Sequence, residues 1–340
     1  MRGFLKICAI VVGTMLLMSC GADKALKKAD AFYAIGEYYD AAAQYKKAYA
    51  QTPAKEKAKR GELSAKLAIC YRRTNATSKA IAAYNNVIRY KKADSLTHLY
   101  LAQQLMKNGS YKDAAKNFQT AIDSLSTREA KDMLSLARNG LKAAKAAPDW
   151  KKEGSAYTVK RMDIFNSLRA DYSPMLAGDD NDILYFTSTR NEAQGDEYSG
   201  ITGAKAADIF FSQKDDKDKW GRPQSIDSEL NTDFDEGACA FSPDGRTMYL
   251  TQCLIDANYP RYATVVASNR SDASWSKATA VQISKDTLSS YAHPAVSPDG
   301  EWLYFVSDMP GGMGGLDIWR CRLYGNNETG GAEILGAPVN

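Results

Sequence analysis

Residues 242–251 read Ser-Pro-Asp-Gly-Arg-Thr-Met-Tyr-Leu-Thr, and residues 297–306 read Ser-Pro-Asp-Gly-Glu-Trp-Leu-Tyr-Phe-Val. In each, proline presets the turn, glycine takes the positive φ, and an alternating apolar run follows, so each predicts a tight turn entering a β-strand. A third strand-like run, Asp182-Ile183-Leu184-Tyr185-Phe186-Thr187-Ser188, lacks the turn but matches the strand. Markers stand at Asn166-Ser167, Asn231-Thr232, Asp286-Thr287 and Asn340, and the first three precede the strand tyrosines by 19, 18 and 18 residues. A further strand opens at Asp208, Ala263 and Asp317, each 23 residues before the next marker, and Trp220 and Trp275 each precede a marker by 11. The chain therefore contains three β units of 65, 55 and 54 residues, roughly 166–230, 231–285 and 286–339.

This arrangement resembles the Ser-Pro-Asp-Gly blades of TolB-like propellers over more than half the chain. The resemblance implies four-stranded blades and, because propellers typically carry four to eight, an incomplete ring that is expected to continue past Asn340. It implies no particular activity.

Upstream, a different period rules. Gly36, Asn75 and Gly109 are each followed at +5 by Ala41, Ala80 and Ala114, at +9 by Tyr45, Tyr84 and Phe118, and at +12 by Ala48, Val87 and Ala121. Ala29, Ala68 and Ala102 stand at −7, and Phe32, Tyr71 and Leu105 at −4. Small residues let paired helices approach and aromatics fill the gaps between pairs. The pattern resembles the tetratricopeptide repeat, with hairpins at 22–55, 61–94 and 95–128 and a short insertion near Ala54–Ala58. A capping helix over Arg128–Ala147 is expected to end at Pro148. The fold class expected is thus multidomain, α then all-β: a tetratricopeptide helical solenoid at 20–147, a linker at 148–159 and blades of an incomplete β-propeller at 160–340.

Such an array presents a groove lined by first helices, and Tyr33, Ile69, Arg73, Leu99 and Gln103 are the candidate partner-binding residues. The Lys, Asn and Arg pattern that clamps a peptide C-terminus is absent there. Tyr45, Tyr71, Tyr84 and Phe118 read as inter-repeat packing. Charge is divided unevenly within the 340 residues and net charge of +4: residues 21–147 hold 24 Lys/Arg against 11 Asp/Glu, and residues 148–340 hold 18 against 29. A basic array of this kind favours an acidic partner.

The N-terminus reads as an address. Arg2 and Lys6 precede a 12-residue apolar run, residues 7–18, too short to span a bilayer, and Leu17-Met18-Ser19-Cys20-Gly21 follows. This resembles a bacterial lipobox, which implies a signal peptide over 1–19, lipidation of Cys20 and anchoring in a membrane. Gly21 and the lysines after it imply, by the same resemblance, the periplasmic face of the outer membrane. Nucleic acid is not an expected partner in that setting.

Catalytic chemistry has little material. There are two histidines, His98 and His293, and no Gly-x-Ser-x-Gly, Gly-x-x-x-x-Gly-Lys-Ser/Thr or His-Glu-x-x-His motif. No catalytic, metal or cofactor site is expected. The long loop after Tyr185 carries Arg190, Glu192, Asp196 and Tyr198 and offers a candidate binding loop, or else a tolerated insertion. Cys239 and Cys253 flank one turn in one blade. A straight strand would hold them roughly 13 Å apart, beyond the ~7 Å limit of a disulfide, but a bend toward Pro260 would close that distance. The competing readings are a bridge, which the oxidising periplasm favours, and burial as small apolar side chains.

The order lipobox, tetratricopeptide array and Ser-Pro-Asp-Gly propeller resembles the PorE-like outer-membrane lipoproteins of the Bacteroidetes type IX secretion system. The resemblance implies a non-enzymatic scaffold binding secretion-complex subunits. It also implies a peptidoglycan-binding OmpA-like domain after the propeller, which these residues do not include. Two alternatives are a periplasmic adaptor for glycan or nutrient uptake and the propeller part of a truncated peptidase.

Overall fold

The computed structural model describes residues 21–125, 130–178, 180–195, 198–226, 229–254, 262–271, 274–325 and 327–340. The lipobox and Cys20 lie outside them. Two compact units are present: residues 1–159 with 199–203, and residues 160–198 with 204–340.

The first unit is helical. Residues 21–34 form α1, followed by α2 (Tyr38–Gln51), α3 (Lys57–Arg73), α4 (Thr77–Arg89), α5 (Ser95–Lys107), α6 (Tyr111–Ser124) and α7 (Lys131–Glu153). Consecutive helices pack as hairpins. Three hairpin turns are built alike. Gly36, Asn75 and Gly109 adopt φ of +80°, +54° and +74°. The next residue's N–H then reaches back across the turn: Glu37 to Phe32 O at 2.9 Å, Ala76 to Tyr71 O at 2.8 Å, Ser110 to Leu105 O at 2.9 Å. This is the Schellman closure of a helix end, and it places the apolar −4 residue at the same point of each turn.

The expected packing positions at −7, +5, +9 and +12 are all interior. Ala29, Ala68, Ala102, Ala41, Ala80 and Ala114 are fully buried, as are Tyr45, Tyr84, Phe118, Ala48, Val87 and Ala121. Tyr71 is only half-buried against the same core. The α5 start is fixed by a capping box between Asp94 and Thr97. Helix α7 docks through Gly140, where a Cβ would lie 2.4 Å from the Phe118 ring.

Pro148 does not end α7. It sits inside the helix, which runs on to Glu153 and stops at Gly154, φ +76°. A proline deletes one N–H from the ladder, and the exposed last turns accommodate that loss. The linker expected to begin at 148 is therefore helical for its first half.

The second unit holds three antiparallel sheets. The first runs β1 (Asp171–Ala177), β2 (Ile183–Ser188), β3 (Asp208–Gln213) and β4 (Gln224–Ser225). The second has β5 (Asp235–Phe241), β6 (Thr247–Leu254), β7 (Tyr262–Ser271) and β8 (Ser274–Trp275), with β9 (Thr279–Ala280) beside β7. The third has β10 (Tyr291–Val296), β11 (Trp302–Ser307), β12 (Asp317–Gly325) and β13 (Glu328–Thr329), with β14 (Glu333–Ile334) beside β12. The first four strands of each sheet form a meander whose neighbours in sequence are neighbours in space.

The two Ser-Pro-Asp-Gly turns have the same hydrogen bonds. Ser242 Oγ donates to Asp244 Oδ1 at 2.6 Å and accepts from Thr247 N–H at 2.9 Å, while Arg246 N–H donates to Asp244 Oδ1 at 3.0 Å. Ser297, Asp299, Trp302 and Glu301 repeat the set. The Ser242 hydroxyl, then the Arg246 N–H, hold the Asp244 carboxyl below its ordinary range. The markers also have a structural cause. Asn231 Oδ1 accepts from Ile209 N–H at 2.9 Å and Nδ2 donates to Ile209 O at 3.0 Å. Asn340 does the same to Ile318, at 2.8 and 3.0 Å.

Every sheet's first strand is bulged. The register slips between Tyr172 and Met175, Gly237 and Ala240, and Ala292 and Ala295. Ser173, Ala238 and His293 in these bulges have φ of +50°, +50° and +54°. The bulges join sheet to sheet: Ala238 N–H donates to Thr187 Oγ1 at 3.0 Å, and His293 N–H donates to Thr251 Oγ1 at 2.8 Å. Apolar packing completes each seam, with Tyr185 and Ile209 against Met248 and Leu250 at the first, and Tyr249 and Val265 against Leu303 and Phe305 at the second.

The bulge also disposes of the cysteine bridge. Cys239 follows it and is buried in the first seam, whereas Cys253 pairs across the strand with Asp235, four residues away. Strand β6 stays paired with β7 through Leu254, so no bend brings the two thiols together, and they are not bridged. Burial pushes the Cys239 thiol up to about 12.

At Gly237 a Cβ would lie 2.8 Å from Thr187 Cγ2. Gly237→Ala is therefore expected to destabilise the sheet unit by about 2 kcal/mol. Thr187→Val, which orphans the Ala238 N–H, should cost about 1–2 kcal/mol. Urea midpoints followed by tryptophan fluorescence measure both; a Gly237→Ala protein as stable as the parent would contradict the seam.

Candidate functional site

Helices α1, α3 and α5 are the first members of the hairpins and carry the expected groove residues. Tyr33 is half-buried, with its ring edge-on to Tyr38 at 5.6 Å and to Tyr45 at 6.2 Å. Lys66 Nζ stands 4.3 Å from the Tyr33 centroid, and the Arg73 guanidinium, exposed, lies 5.7 Å from that of Tyr38. Burial, then Cys70 and Tyr38, pushes the Tyr33 hydroxyl above its ordinary value despite Arg73 and Arg72 nearby. Ile69 and Gln103 are half-buried. Leu99 does not belong to the surface: it is wholly buried in the array core. In α5 the positions that pack between hairpins include Leu99, Leu101, Ala102 and Leu105, so a leucine there is drawn inward.

The reading of the sequence missed Lys66 and Tyr38. Together with Tyr33 and Arg73 they form a row of cations over aromatic rings, a surface that holds its charges ready for an anion while screening the rings. The signal was available in α3, which carries six Lys/Arg against one Glu.

The loop candidates separate. Arg190 is not at a free surface. Its guanidinium lies 5.0 and 4.8 Å from the Phe186 and Phe210 rings, pairs with Asp171 Oδ1 at 2.8 Å and donates to Phe165 O at 2.7 Å. Burial raises the Asp171 carboxyl, but hydrogen bonds from Ser188, Ser167 and Arg190 outweigh it and hold the group below its ordinary value. Glu192 and Tyr198 are exposed, and Tyr198 pairs with Lys205 as a single bridge. Asp196 lies outside the described residues. Lys205 Nζ donates to Asn191 O and Ala193 O, at 3.1 and 2.7 Å, closing the base of the loop.

Beside that base, two acids are buried. Asp208 Oδ2 accepts from Gln194 N–H at 2.7 Å, while its Oδ1 is buried without a partner. Burial, against that hydrogen bond, pushes its carboxyl up to about 6. Glu236 accepts from Thr232 N–H at 2.9 Å, Thr232 Oγ1 at 2.5 Å and Gln252 Nε2 at 2.9 Å. Burial still dominates and pushes it up to about 7, with Asp208 adding to the rise. The bonds these acids make run to backbone and side chains of their own unit. Among the described residues no group of three or more His, Cys, Asp or Glu is placed to hold a metal ion, and no helix is long and apolar enough to cross a membrane.

No family model and no curated protein matches the chain. Solved structures with local similarity include the Sgt2 TPR domain from Aspergillus fumigatus, 17% identical over 42% of this chain and 87% of that one, TM-score 0.31. Another is a putative 6-phosphogluconolactonase from Bacteroides uniformis, 13% identical over 48% and 72%, TM-score 0.23. At these scores neither likeness assigns a fold or an activity.

Both buried acids have folded-state values above their ordinary ones. Their contribution to stability is thus complete below about pH 4 and lost as pH rises through about 6 to 7. The sheet unit is expected to unfold at a lower urea concentration at pH 8 than at pH 5. Glu236→Gln should remove most of that difference, on the order of 2 kcal/mol. Trp220, Trp275, Trp302 and Trp319 report the transition; an unchanged pH difference in the Glu236→Gln protein would exclude Glu236 as its source.

Proposed function

We propose that this chain is a non-enzymatic scaffold whose helical array, a tetratricopeptide solenoid, binds protein partners, and whose sheets are successive blades of a β-propeller. The observation that carries the reading is the identity of the three hairpins. The same turn, the same backbone closure and the same buried positions recur at Gly36, Asn75 and Gly109. Stacked units of this kind spend their small residues on packing and leave a continuous outer surface for recognition. The shared turns at Ser242 and Ser297 and the bulge at each seam support the blade reading.

Anchoring through Cys20 to the periplasmic face of the outer membrane, and service in type IX secretion, extend the proposal. Their support is the order of lipobox, array and Ser-Pro-Asp-Gly sheets. In this reading Tyr33, Ile69, Arg73 and Gln103 belong to the partner surface.

Photo-crosslinking from positions 33, 69, 73 and 103 in cells tests it. Discrete adducts with envelope proteins are expected, those from positions 33, 69 and 103 being lost when Lys66 and Arg73 are both changed to Glu. Absence of adducts from all four positions would reject the groove. Separately, Cys20→Ala should move the protein from the membrane to the soluble fraction; unchanged pelleting would reject the anchor.

A further inference from the structure

The two seams between sheets differ at the edge where the turns lie. At the second seam the Pro243 ring packs on Gly300, 3.2 Å from where a Cβ would stand, so one Ser-Pro-Asp-Gly turn rests on the next. The first sheet differs there, with Gly178 at φ +84° and Asn181 at φ +53°. In place of a turn-to-turn contact, the first seam opens there into a cleft of about 720 Å³. That is within the usual range of small-ligand sites.

The cleft is lined by apolar and anionic residues together. Its walls include Met175, Ile183, Phe241 and Pro243, with Tyr185 and Trp275 beneath. Tyr185 and Phe241 have centroids 4.9 Å apart, tilted by 50°, and Phe241 and Trp275 are 5.8 Å apart at 46°. The rings form a cup rather than a flat platform. Asp180, Asp182 and Asp244 also line the cleft, against one cation, Arg270. Asp244 is committed to its own turn, and Asp182 accepts from Gln213 Nε2 at 3.3 Å. Asp180 is exposed. The Arg270 guanidinium lies 5.9 Å from the Trp275 ring centroid, so the indole already faces one cation.

We propose that this cleft binds an alkylammonium ligand, with an apolar stem along Met175, Ile183 and Phe241 and a cationic head at Asp180 and Asp182. Apolar residues beside carboxylates suit an amphipathic cation better than a sugar, which needs an exposed flat ring, or an anion, which the three carboxylates repel. The ligand is either a free amine or a lysine side chain of a partner protein; both present the same chemistry. The inference is independent of the scaffold reading.

Calorimetric titration of the full chain with n-hexylammonium and with acetyl-Gly-Lys-Gly-amide tests it. The controls are 1-hexanol, the norleucine tripeptide and cellobiose. Saturable binding of an amine at about 10 mM or below is expected. The neutral analogues should bind at least about threefold more weakly, and Asp180→Lys should weaken the amine about tenfold or more. Tighter binding of the peptide identifies a protein lysine as the source, and tighter binding of hexylammonium a free amine; either upholds the cleft. Equal binding of 1-hexanol, competition by cellobiose, undiminished binding by Asp180→Lys, or no saturable binding of either amine would overturn it.

Discussion

The Ala238 N–H reaches the Thr187 hydroxyl because Gly237, beside it, has no side chain. A left-handed bulge turns one N–H out of the strand ladder, and that donor must find an acceptor once water is excluded. The preceding sheet supplies one from its central strand. His293 N–H meets the Thr251 hydroxyl in the same manner, so at both seams a bulge donor is joined to a threonine of the preceding sheet. The helical unit uses the same physics without hydrogen bonds: Ala68 and Ala102 bring helix backbones together, and Gly140 lets α7 reach Phe118.

Much of this was legible in the sequence because periodic packing leaves periodic residues. The positions at +5, +9 and +12 from each hairpin turn are interior, and the Ser-Pro-Asp-Gly turns hold the bonds their residue types imply. Other features had no local signal. Pro148 reads as a helix end, yet the outcome depends on whether the rest of the helix tolerates one missing bond. Leu99 sits at a groove position by spacing, but burial of its side chain outweighs that register. The bulges were invisible because Ser173, Ala238 and His293 share no residue type, only a backbone conformation, and without the bulge the fate of Cys239 could not be read.

The candidate binding loop shows how charged residues mislead. Arg190, rich in functional possibility by type, is consumed in holding Phe165 and Asp171 against two rings. Asp208 and Glu236 likewise bind backbone and side chains of their own unit. What remains presented to solvent is different in kind: cations over tyrosines on the array, and carboxylates beside a cup of rings in the first seam. Each surface sets charge beside aromatic rings, and the two have opposite sign.

Asn231 and Asn340 put an amide side chain where a neighbouring strand's peptide group would be, satisfying both the N–H and the C=O of Ile209 and of Ile318. A sheet edge with paired free groups is a template for adding a foreign strand. Here β4 pairs with β3, and β13 and β14 pair with β12, so the side-chain amide closes the remaining peptide group near the start of each strand. Asn231 and Asn340 thereby guard a strand edge as well as mark a repeat, which matters for a protein built from several copies of one strand pattern.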